Sequence, residues 1–487
     1  MKYSLESLTR VVNEVDDLVW GVPLVTSILA TGILLTVLLR FRHLLHIGSA
    51  FRYVFHQGDG HHGEVSAFGA LCTALSATIG TGNIVGVATA ITAGGPGALF
   101  WMEMAALFGM ATKYAEGLLA VKYRDVAPDG RVLGGPFHYI EKGLGAKWKP
   151  VAVLFAVFGI GTGLLGTGTI AQIHGIVSSV QRFCDPGFNP ADPSTGISLF
   201  GNSYSVAAII AGAVITVCVG LVIIGGLKRI ARVSMVVVPF MAVSYTAVCL
   251  VVMLGNITRI PEAVALIVKA AFDPAAVTGG AVGTLFVAMQ KGVARGIFSN
   301  EAGLGSEPIA AAAAKTNEPA RQGFVSMTGT FIDTIVICTM TGLTIVLSGA
   351  WDPALGLEGV NVTVEAFSRG ISFIPGCAAA MPFFIMAALT FFAFTTILGW
   401  NFYSEKCLEY LVGMHRRHIV KCYRLLFVIV VAAGPYLTIS FVWGVADIMN
   451  GLMALPNLVA LVLLSPVVVR TTGDFLAREG KKRGEIT

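Results

Sequence analysis

Charged residues are scarce in this sequence, making up 13% of its 487 positions. In an ordinary soluble domain they make up about a quarter. Apolar residues account for 55% of the chain, and the mean hydropathy is +0.78. Runs of about 20 apolar residues, long enough to cross a bilayer as a helix, recur along the whole sequence. The composition therefore excludes an ordinary soluble protein and indicates an all-α polytopic membrane protein.

Motifs of several other function classes are missing. The eight cysteines form no CxxC pair and no His-rich cluster accompanies them, which argues against a metal site of that kind. Cys184 and Cys377 both fall near the predicted outer side, where a disulfide between them stays an open alternative. The sequence has no nucleotide-binding motif, no soluble domain and no recognised pair of nucleophile and base. We therefore expect a transporter driven by an ion gradient, with no cofactor and no enzymatic activity.

The hydropathy pattern predicts eleven membrane spans. The first lacks a cleavage site and follows several acidic residues, so it does not resemble a signal peptide. The spans lie near residues 20–40, 65–93, 97–121, 151–181, 205–226, 233–255, 281–305, 325–348, 380–402, 424–442 and 445–469.

The distribution of basic residues predicts the orientation of these spans. If the N-terminus lies outside, the cytoplasmic segments receive 24 of the 33 Lys and Arg residues. This bias follows the positive-inside rule and places the C-terminus in the cytoplasm. The formal net charge of +5 therefore indicates contact with membrane lipid rather than with nucleic acid. We expect a multi-pass protein of the cell (inner) membrane; the oligomeric state stays open.

Two of the spans carry helix-weakening, polar centres. The second contains "ATIGTGNIVG" (77–86), and the seventh contains "GIFSNEAGLGS" (296–306). Glycine costs a helix roughly 1 kcal/mol relative to alanine, and irregular backbone survives in a membrane only where protein or trapped water satisfies it. An alternative reading is that these glycines serve close helix packing.

The two breaks lie five spans apart, and an odd shift reverses the direction of a span through the bilayer. Such pairs are typical of inverted-repeat transporters, in which half-helix ends and freed carbonyls hold substrate and ion. We predict a 5+5 inverted repeat, with spans 2–6 and 7–11 as its halves and the first span as an addition. The corresponding domain boundaries are an N-terminal segment at 1–64, repeats at 65–255 and 256–469, and a cytoplasmic tail at 470–487.

Three blocks of the sequence strongly resemble the alanine or glycine:cation symporter (sodium:alanine symporter) family. They are "ALSATIGTGNIVGVATAITAGGPGALFWM" (74–102), "GVARGIFSNEAGLGSEPIAAAA" (292–313) and "FAFTTILGWNFYSEK" (392–406). The resemblance implies a fold of the leucine-transporter type in the amino acid–polyamine–organocation superfamily. It also implies sodium-coupled uptake of a small neutral amino acid such as alanine or glycine. A sodium- or proton-coupled transporter of a larger neutral amino acid such as glutamine is the alternative.

The resemblance also implies a sodium site between spans 2 and 9. Its ligands would be the carbonyls of Ser76 and Ile79 and the hydroxyls of Thr395 and Thr396. A threonine pair in a span is often only hydrogen-bonded to the preceding helical turn, which is the alternative reading.

The resemblance places the amino-acid substrate between the two breaks. Its carboxylate would lie on the amides of span 2, and its ammonium near oxygens of both spans. Gln172 would close the pocket, or instead form a helix–helix hydrogen bond, and Trp400 would be an apolar wall or an interfacial anchor. The full set of candidates is Thr78, Gly80, Thr81, Gly82, Asn83, Gln172, Phe298, Ser299, Asn300 and Trp400.

A few ionisable residues within the spans have open roles. Asp333 is a functional candidate because an acidic side chain is costly at membrane depth. Lys291 and Arg295 are possible partners or gate elements, and a structural ion pair is the alternative. Either Glu103 or Glu116 would supply the proton site in a proton-coupled scheme.

Overall fold

The computed structural model describes residues 2–482 except for 57–62, 167, 190–191, 193–194, 200–201, 274–284 and 437–439. Within this part of the chain, eight helices are long and apolar enough to cross a membrane, and one bent helix pair forms a ninth candidate. Two further predicted spans, 97–121 and 281–305, contain the helix Gly97–Lys122, which carries buried charges, and the short helix Leu285–Asn300. These eleven helical regions match the eleven predicted spans.

Spans 1 to 3 comprise Val22–Leu38, then Ala67–Thr78 with Gly82–Gly86 and Val87–Gly94, then Gly97–Lys122. Spans 4 to 6 comprise Lys149–Leu165 with Ile170–Cys184, then Val206–Ile223, then Leu227–Gly255.

Spans 7 and 8 comprise Leu285–Asn300, then Pro319–Thr330 with Phe331–Cys338 and Thr339–Ser348. Spans 9 to 11 comprise Cys377–Val412, Arg417–Ala433 and Ser440–Leu463. Parts of predicted spans 4, 7 and 10, namely residues 167, 281–284 and 437–439, lie outside the described residues.

Other elements connect or flank the spans. The helices are Lys2–Val19, Arg42–Leu45, Ile47–Phe55, Pro136–His138, Tyr139–Gly143, Ala146–Trp148, Ile257–Arg259, Ile260–Phe272, Pro308–Ala311, Pro353–Leu355, Val360–Gly370, Gly434–Tyr436 and Ser465–Lys482. Two antiparallel hairpins pair Asp125–Val126 with Val132–Leu133 and Ile197–Leu199 with Asn202–Tyr204.

The surface of spans 5 and 6 explains why the chain needs a bilayer. Val217, Leu221, Val236, Phe240 and Val243 are each 60–69% exposed. A contiguous apolar surface of this kind is unfavourable in water and favourable against lipid tails. These two spans therefore lie at the lipid-facing periphery, away from the breaks.

Both predicted breaks are present. Span 2 bends by 54° between Thr78 and Gly82. Span 7 ends as a helix at Asn300, and Glu301 then adopts a φ of +56°, a left-handed conformation that is rare outside glycine. Gly303 and Gly305, at φ of +89° and +82°, continue this unwound stretch toward the short helix at Pro308. Glycine permits these angles because it has no Cβ.

Some helices differ from the predicted layout. The segment before span 1 is itself a helix, Lys2–Val19, and Trp20 Nε1 donates to the carbonyl of Asp447 in span 11 at 2.9 Å. Predicted span 11 extends to 469, but its helix ends at Leu463 and a separate helix runs from Ser465 to Lys482, in place of most of the predicted tail. Pro466 accounts for this break, because proline has no amide hydrogen to continue the helix ladder.

Candidate functional site

The break of span 2 is held open by side chains rather than by the helix itself. The Gly80 amide donates to Asn83 Oδ1 at 2.9 Å, whereas a continuous helix would direct it to the Ser76 carbonyl. The next amide, that of Thr81, points to Gln172 Oε1 of span 4 at 3.5 Å. These contacts satisfy two amides that the bend removes from the helix ladder. The position of Gln172 is therefore compatible both with a pocket role and with a link between helices.

Gly80 lies where spans 2, 4 and 9 meet. A Cβ atom at this position would lie 2.6 Å from Thr396 Oγ and 3.4 Å from Gln172 Oε1. Only glycine allows the backbone to come this close to the threonine hydroxyl. The approach of span 9 to the break thus depends on the missing side chain.

The four candidate sodium ligands are all buried, but their oxygens do not all point toward one place beside the break of span 2. Thr396 Oγ donates to the Ile79 carbonyl at 3.3 Å and also to Phe392 of its own helix at 3.0 Å. Thr395 Oγ lies 2.9 Å from the Phe392 carbonyl and 3.6 Å from Met241 Sδ of span 6. The structure therefore joins Thr396 to the break, while the Thr395 hydroxyl points along its own helix and toward span 6.

Ser76 and Thr78 precede the bend on the same helix. The Ser76 hydroxyl donates to the Thr73 carbonyl at 2.7 Å, and the Thr78 hydroxyl lies 3.5 Å from the Ala74 carbonyl. Both side chains are thus turned to their own helix. The contribution of Ser76 to a cation would come from its carbonyl, whose usual helical donor, the Gly80 amide, is bonded elsewhere.

The two breaks face one another directly. A Cβ atom at Gly82 would lie 3.4 Å from Ser299 Cα and 3.6 Å from Phe298 Cδ1. Asn300 stabilises the end of the span 7 helix, since its Oδ1 accepts from the Ala302 amide at 3.0 Å and its Nδ2 donates to Thr334 at 3.1 Å. Phe298 is half-buried, whereas Ser299 and Asn300 are buried. Spans 2 and 7 therefore form one unwound centre.

Asp333 ties this centre to span 8. Asn83 Nδ2 donates to Asp333 Oδ1 at 2.8 Å, and the hydroxyls of Ser299 and Thr334 each donate to Oδ2 at 2.8 Å. Asn83 also approaches Cys338 Sγ at 3.4 Å. Asp333 is completely buried, and in the described part of the chain no Lys or Arg lies within ion-pair distance of it. Lys291 and Arg295 are therefore not its ion-pair partners.

Trp400 packs beneath the second break. Its indole Nε1 donates to Glu301 Oε1 at 2.9 Å, and Ser306 Oγ donates to the other oxygen of the same carboxylate. The Trp400 ring lies against Gly168 of span 4. Because Trp400 is only 1% exposed, its position excludes the interfacial anchor.

A buried polar network beside the breaks was not predicted. Lys113 of span 3 forms a 3.0 Å ion pair with Glu307, at the end of the unwound stretch. Asn457 of span 11 donates to Glu116 at 2.6 Å and to the Gly303 carbonyl at 2.9 Å, and accepts from Tyr139. The spacing of Lys113 and Glu116, one helical turn apart in an apolar span, was the available signal.

The cysteines and acidic groups provide no alternative site in the described residues. All eight cysteines are free, including Cys184 and Cys377. No group of three or more His, Cys, Asp or Glu side chains is arranged to hold a metal ion within the described ranges. The oxygens around the two breaks thus belong to carbonyls, hydroxyls, side-chain amides and the carboxylates of Asp333 and Glu301, a set suited to a hard cation.

Comparison with known proteins decides the family. The profile of the sodium:alanine symporter family matches residues 5–486. This chain belongs to that family. It is 43% identical to the sodium/alanine symporter AgcS of Methanococcus maripaludis, with 95% of this chain and 96% of that protein covered. It is also 48% identical to an uncharacterized transporter of Haemophilus influenzae, with 97% of each chain covered.

Two further comparisons bear on the substrate and the fold. A probable sodium/glutamine symporter of Bacillus subtilis is 35% identical, with 98% of this chain and 92% of that protein covered. The crystal structure of MhsT in complex with L-phenylalanine matches with a TM-score of 0.54 at 12% identity, covering 85% of this chain and 99% of that one. This likeness confirms the leucine-transporter type of fold. The chain is a multi-pass membrane transporter of a sodium symporter family and not an enzyme.

Proposed function

We propose that this protein couples the inward flow of sodium to the uptake of alanine, glycine or a similar small neutral amino acid. The observation that carries the proposal is the contact between the two breaks at Gly82 and Ser299, within a chain of the sodium:alanine symporter family. Peptide dipoles of two unwound helices then face a common space. That arrangement suits a zwitterion and a small cation together.

The substrate would lie between spans 2 and 7. Its carboxylate would meet the amides of Gly80, Thr81 and Gly82, at the positive end of the half-helix that begins at Gly82. Its ammonium would lie near oxygens of Thr78, Asn83 and the stretch Phe298–Asn300. Rearrangement of Asn83 or Gln172, which hold these amides in the present conformation, would accompany binding.

The size of the substrate would be limited by Trp400, whose ring fills the space beside Gly168 and Glu301. A substrate with a small side chain or none, such as alanine or glycine, fits beside this ring best. The relative named as a sodium/alanine symporter supports the same choice. The relative named as a probable sodium/glutamine symporter, at lower identity, keeps a larger neutral amino acid as the second candidate.

Sodium would be held by the carbonyls of Ser76 and Ile79 and the hydroxyls of Thr395 and Thr396. Thr396 already contacts the Ile79 carbonyl. A rotation of the Thr395 hydroxyl away from its own helix would bring that hydroxyl to the same ion. Asp333 would supply the negative charge that a buried cation or ammonium group requires. A buried carboxylate without such a partner is costly.

Alternating access would be carried out by the two repeats, 65–255 and 256–469. Rocking of one set of spans against the other changes which side of the membrane the breaks face. The unwound residues act as hinges because they carry few helix hydrogen bonds to break.

The protein would lie in the cell (inner) membrane with its N-terminus outside and its C-terminus in the cytoplasm, in contact with membrane lipid. The distribution of Lys and Arg supports this orientation. Labelling of single cysteines introduced at exposed Arg10 and Arg478 in intact and permeabilised cells tests it. We expect the first to react with an impermeant reagent in intact cells and the second only after permeabilisation.

Flux measurement in proteoliposomes tests the transport activity. Sodium and pH gradients are imposed independently while uptake of radiolabelled alanine, glycine and glutamine is followed. We expect saturable alanine or glycine uptake that requires inward sodium flow and persists without a pH gradient. Saturable glutamine uptake without competition by alanine would reject the substrate, and uptake driven by pH alone would reject the coupling ion.

A further inference from the structure

The indole ring of Trp400 is held in place by a single carboxylate. Its Nε1, the only polar atom of the side chain, donates to Glu301 Oε1 at 2.9 Å. The other oxygen of that carboxylate accepts from the Ser306 hydroxyl, so the carboxylate is itself fixed. Trp400 is 1% exposed and Glu301 4% exposed, and a hydrogen bond to an ionised group is among the stronger contacts in a protein. The orientation of the ring is therefore set by Glu301.

Glu301 reaches the ring from an unfavourable backbone conformation. Its φ is +56°, a left-handed angle at which a residue with a side chain is strained. Gly303 and Gly305 adopt left-handed angles in the same unwound stretch, and a glycine at position 301 would do so without strain. Strain of this kind persists where surrounding contacts impose it, and it is concentrated at functional sites. A glutamate at the strained position therefore points to a role for its carboxylate.

Span 4 packs tightly against the base of the same ring. A Cβ atom at Gly168 would lie 2.4 Å from Trp400 Cβ and 2.6 Å from its Cγ. A Cβ atom at Gly163 would lie 3.1 Å from the Trp400 carbonyl oxygen. Span 4 comes this close because both positions lack a side chain. With span 4 against its base and Glu301 at its nitrogen, the indole has little freedom to turn.

The contact between Glu301 and Trp400 lies at the edge of the unwound centre. Glu301 directly follows the stretch Phe298–Asn300 of the candidate substrate site. On the other side, a Cβ atom at Gly399 would lie 2.7 Å from the Cβ of Ala77, in the last turn of the helix that precedes the bend of span 2. The hydrogen bond thus joins span 7 to span 9 beside the space where the substrate would lie.

We propose that Glu301 determines which amino acids the protein accepts, by fixing the indole of Trp400 against the side chain of the substrate. Glu301 is a positioning residue, because it acts on the substrate only through the ring. A ring that cannot turn excludes longer side chains, and a pocket of fixed size discriminates by roughly 10- to 200-fold per added methylene. The inference rests on the proposed function, in which Trp400 limits the size of the substrate.

A purely structural role for Glu301 predicts a different result. If Glu301 only satisfied the buried indole nitrogen, its removal would lower the stability of the protein and weaken the binding of all amino acids alike. If Glu301 positions the ring, its removal lets the indole turn, and longer amino acids gain affinity relative to alanine. The ratio of two affinities in one variant separates the two roles, since a uniform loss cancels in that ratio.

Competition binding to the purified full-length protein, in saturating sodium, tests the inference. Unlabelled alanine, norvaline and leucine compete with radiolabelled alanine, and the selectivity is the ratio of the inhibition constants of leucine and alanine. Glu301→Gly removes the carboxylate and also relieves the left-handed strain, so it should fold. It should lower the selectivity at least about tenfold, the effect of one hydrogen bond to a charged group, and change the affinity for alanine much less.

Two matched variants accompany this measurement. Glu301→Gln retains an oxygen that can accept from the indole, so it should restore most of the selectivity. Glu318→Gln removes an acidic group that is paired with Arg478 near the surface, and it should leave the selectivity unchanged.

A double-mutant cycle shows whether Glu301 acts through the ring. Trp400→Phe removes the indole nitrogen, so the hydrogen bond to Glu301 cannot form. This variant alone should lower the selectivity, and adding Glu301→Gly to it should cause no further change. Ser306→Ala loosens the carboxylate without removing it. It should lower the selectivity by a smaller factor, and it provides the test if Glu301→Gly does not fold.

The possible results separate the two proposals. Unchanged selectivity in Glu301→Gly, or in Ser306→Ala if the former does not fold, would overturn the positioning role, as would equal weakening of all three amino acids. A further loss of selectivity when Glu301→Gly is added to Trp400→Phe would also overturn it. Sodium-driven alanine uptake by the wild-type protein would leave the proposed function standing in each case. Absence of both alanine binding and sodium-driven uptake in the wild-type protein would instead overturn the proposed function.

Discussion

The side-chain amide of Asn83 donates a 2.8 Å hydrogen bond to the carboxylate of Asp333. It links the break of span 2 to the middle of span 8, and Ser299 of span 7 donates to the same carboxylate. A completely buried carboxylate thus connects both unwound helices, and its side-chain donors in the described part of the chain, Asn83, Ser299 and Thr334, are all neutral. Because such a group is stabilised by a nearby cation, its protonation or ionic partner is expected to change during transport.

Replacement of Asp333 by Asn should disrupt coupling. Asparagine has nearly the same shape but no charge, so the half-saturating sodium concentration of alanine uptake should rise at least about tenfold, the effect of one charged contact. Sodium-dependent uptake in proteoliposomes measures this. Cys338→Ala is the local control, because Cys338 makes only weak sulfur contacts to Asn83 and Ser299. Full, normally coupled transport by Asp333→Asn would reduce Asp333 to a packing residue.

The two threonines of span 9 should contribute unequally to sodium binding. Thr396→Val removes the hydroxyl that contacts Ile79 and should raise the half-saturating sodium concentration about tenfold. Thr395→Val should have a smaller effect, since that hydroxyl is bonded within its own helix. Thr390→Val, which alters another threonine bonded to the preceding turn, serves as the control.

The sodium titration of uptake distinguishes the outcomes for these three variants. Equal shifts for Thr395→Val and Thr396→Val would indicate that both hydroxyls bind the ion in another conformation, in which the Thr395 hydroxyl has left its own helix. Unchanged sodium dependence in both would remove span 9 from the cation site.

The breaks could be predicted because their cause is local. Glycine, threonine and asparagine within an apolar run are visible in residues 77–86 without knowledge of the fold. The meeting of Gly82 with Ser299 followed from the five-span spacing and the inverted-repeat argument. Asp333 stood out because an acidic residue is rare in an apolar span.

Other contacts of the candidate site could not be predicted, because they depend on how the spans pack. Thr334 and Cys338 look like ordinary span residues, and only the packing of span 8 against spans 7 and 2 brings them to Asn300 and Asn83 respectively. The pairing of Asn457 with Glu116 joins residues 341 positions apart, which no local pattern reveals. Arg295 is a possible partner of Asp333 by sequence, but in the structure it lines a cavity with Asp16, Asp17 and Asp447, on the side of span 7 that faces span 11.

Acid should destabilise the protein through His138, which lies between spans 3 and 4. Burial lowers the pKa of His138 to about 4; Lys142 acts in the same direction, and Asp125 and Glu141 oppose it. His138 of the unfolded chain therefore binds a proton at about pH 6.5, whereas His138 of the folded protein stays unprotonated until the pH falls to about 4. Stability should fall as the pH drops through this window, by about 1.4 kcal/mol per pH unit at most.

Thermal unfolding in detergent between pH 4 and 7 measures this dependence. His138→Gln should flatten the slope between pH 6.5 and 4, whatever its effect on stability at neutral pH. The exposed His418 provides the control, and His418→Gln should leave the slope unchanged. An unaltered slope in His138→Gln would assign the acid sensitivity to other groups.

A series of glycine replacements should locate the tightest point of the unwound centre. Gly80→Ala forces a methyl group to within 2.6 Å of Thr396 Oγ, so it should displace span 9 and weaken sodium-dependent alanine binding at least about tenfold. Gly86→Ala has no atom within 4 Å of the new methyl group and should bind normally. Gly82→Ala makes only ordinary contacts, but Gly82→Leu should abolish binding, because its side chain would enter the space between Ser299 and Phe298.

Alanine binding to each purified variant, after gel filtration has confirmed a folded protein, provides the measurement. Normal binding by Gly82→Leu would mean that the substrate does not lie between the two breaks.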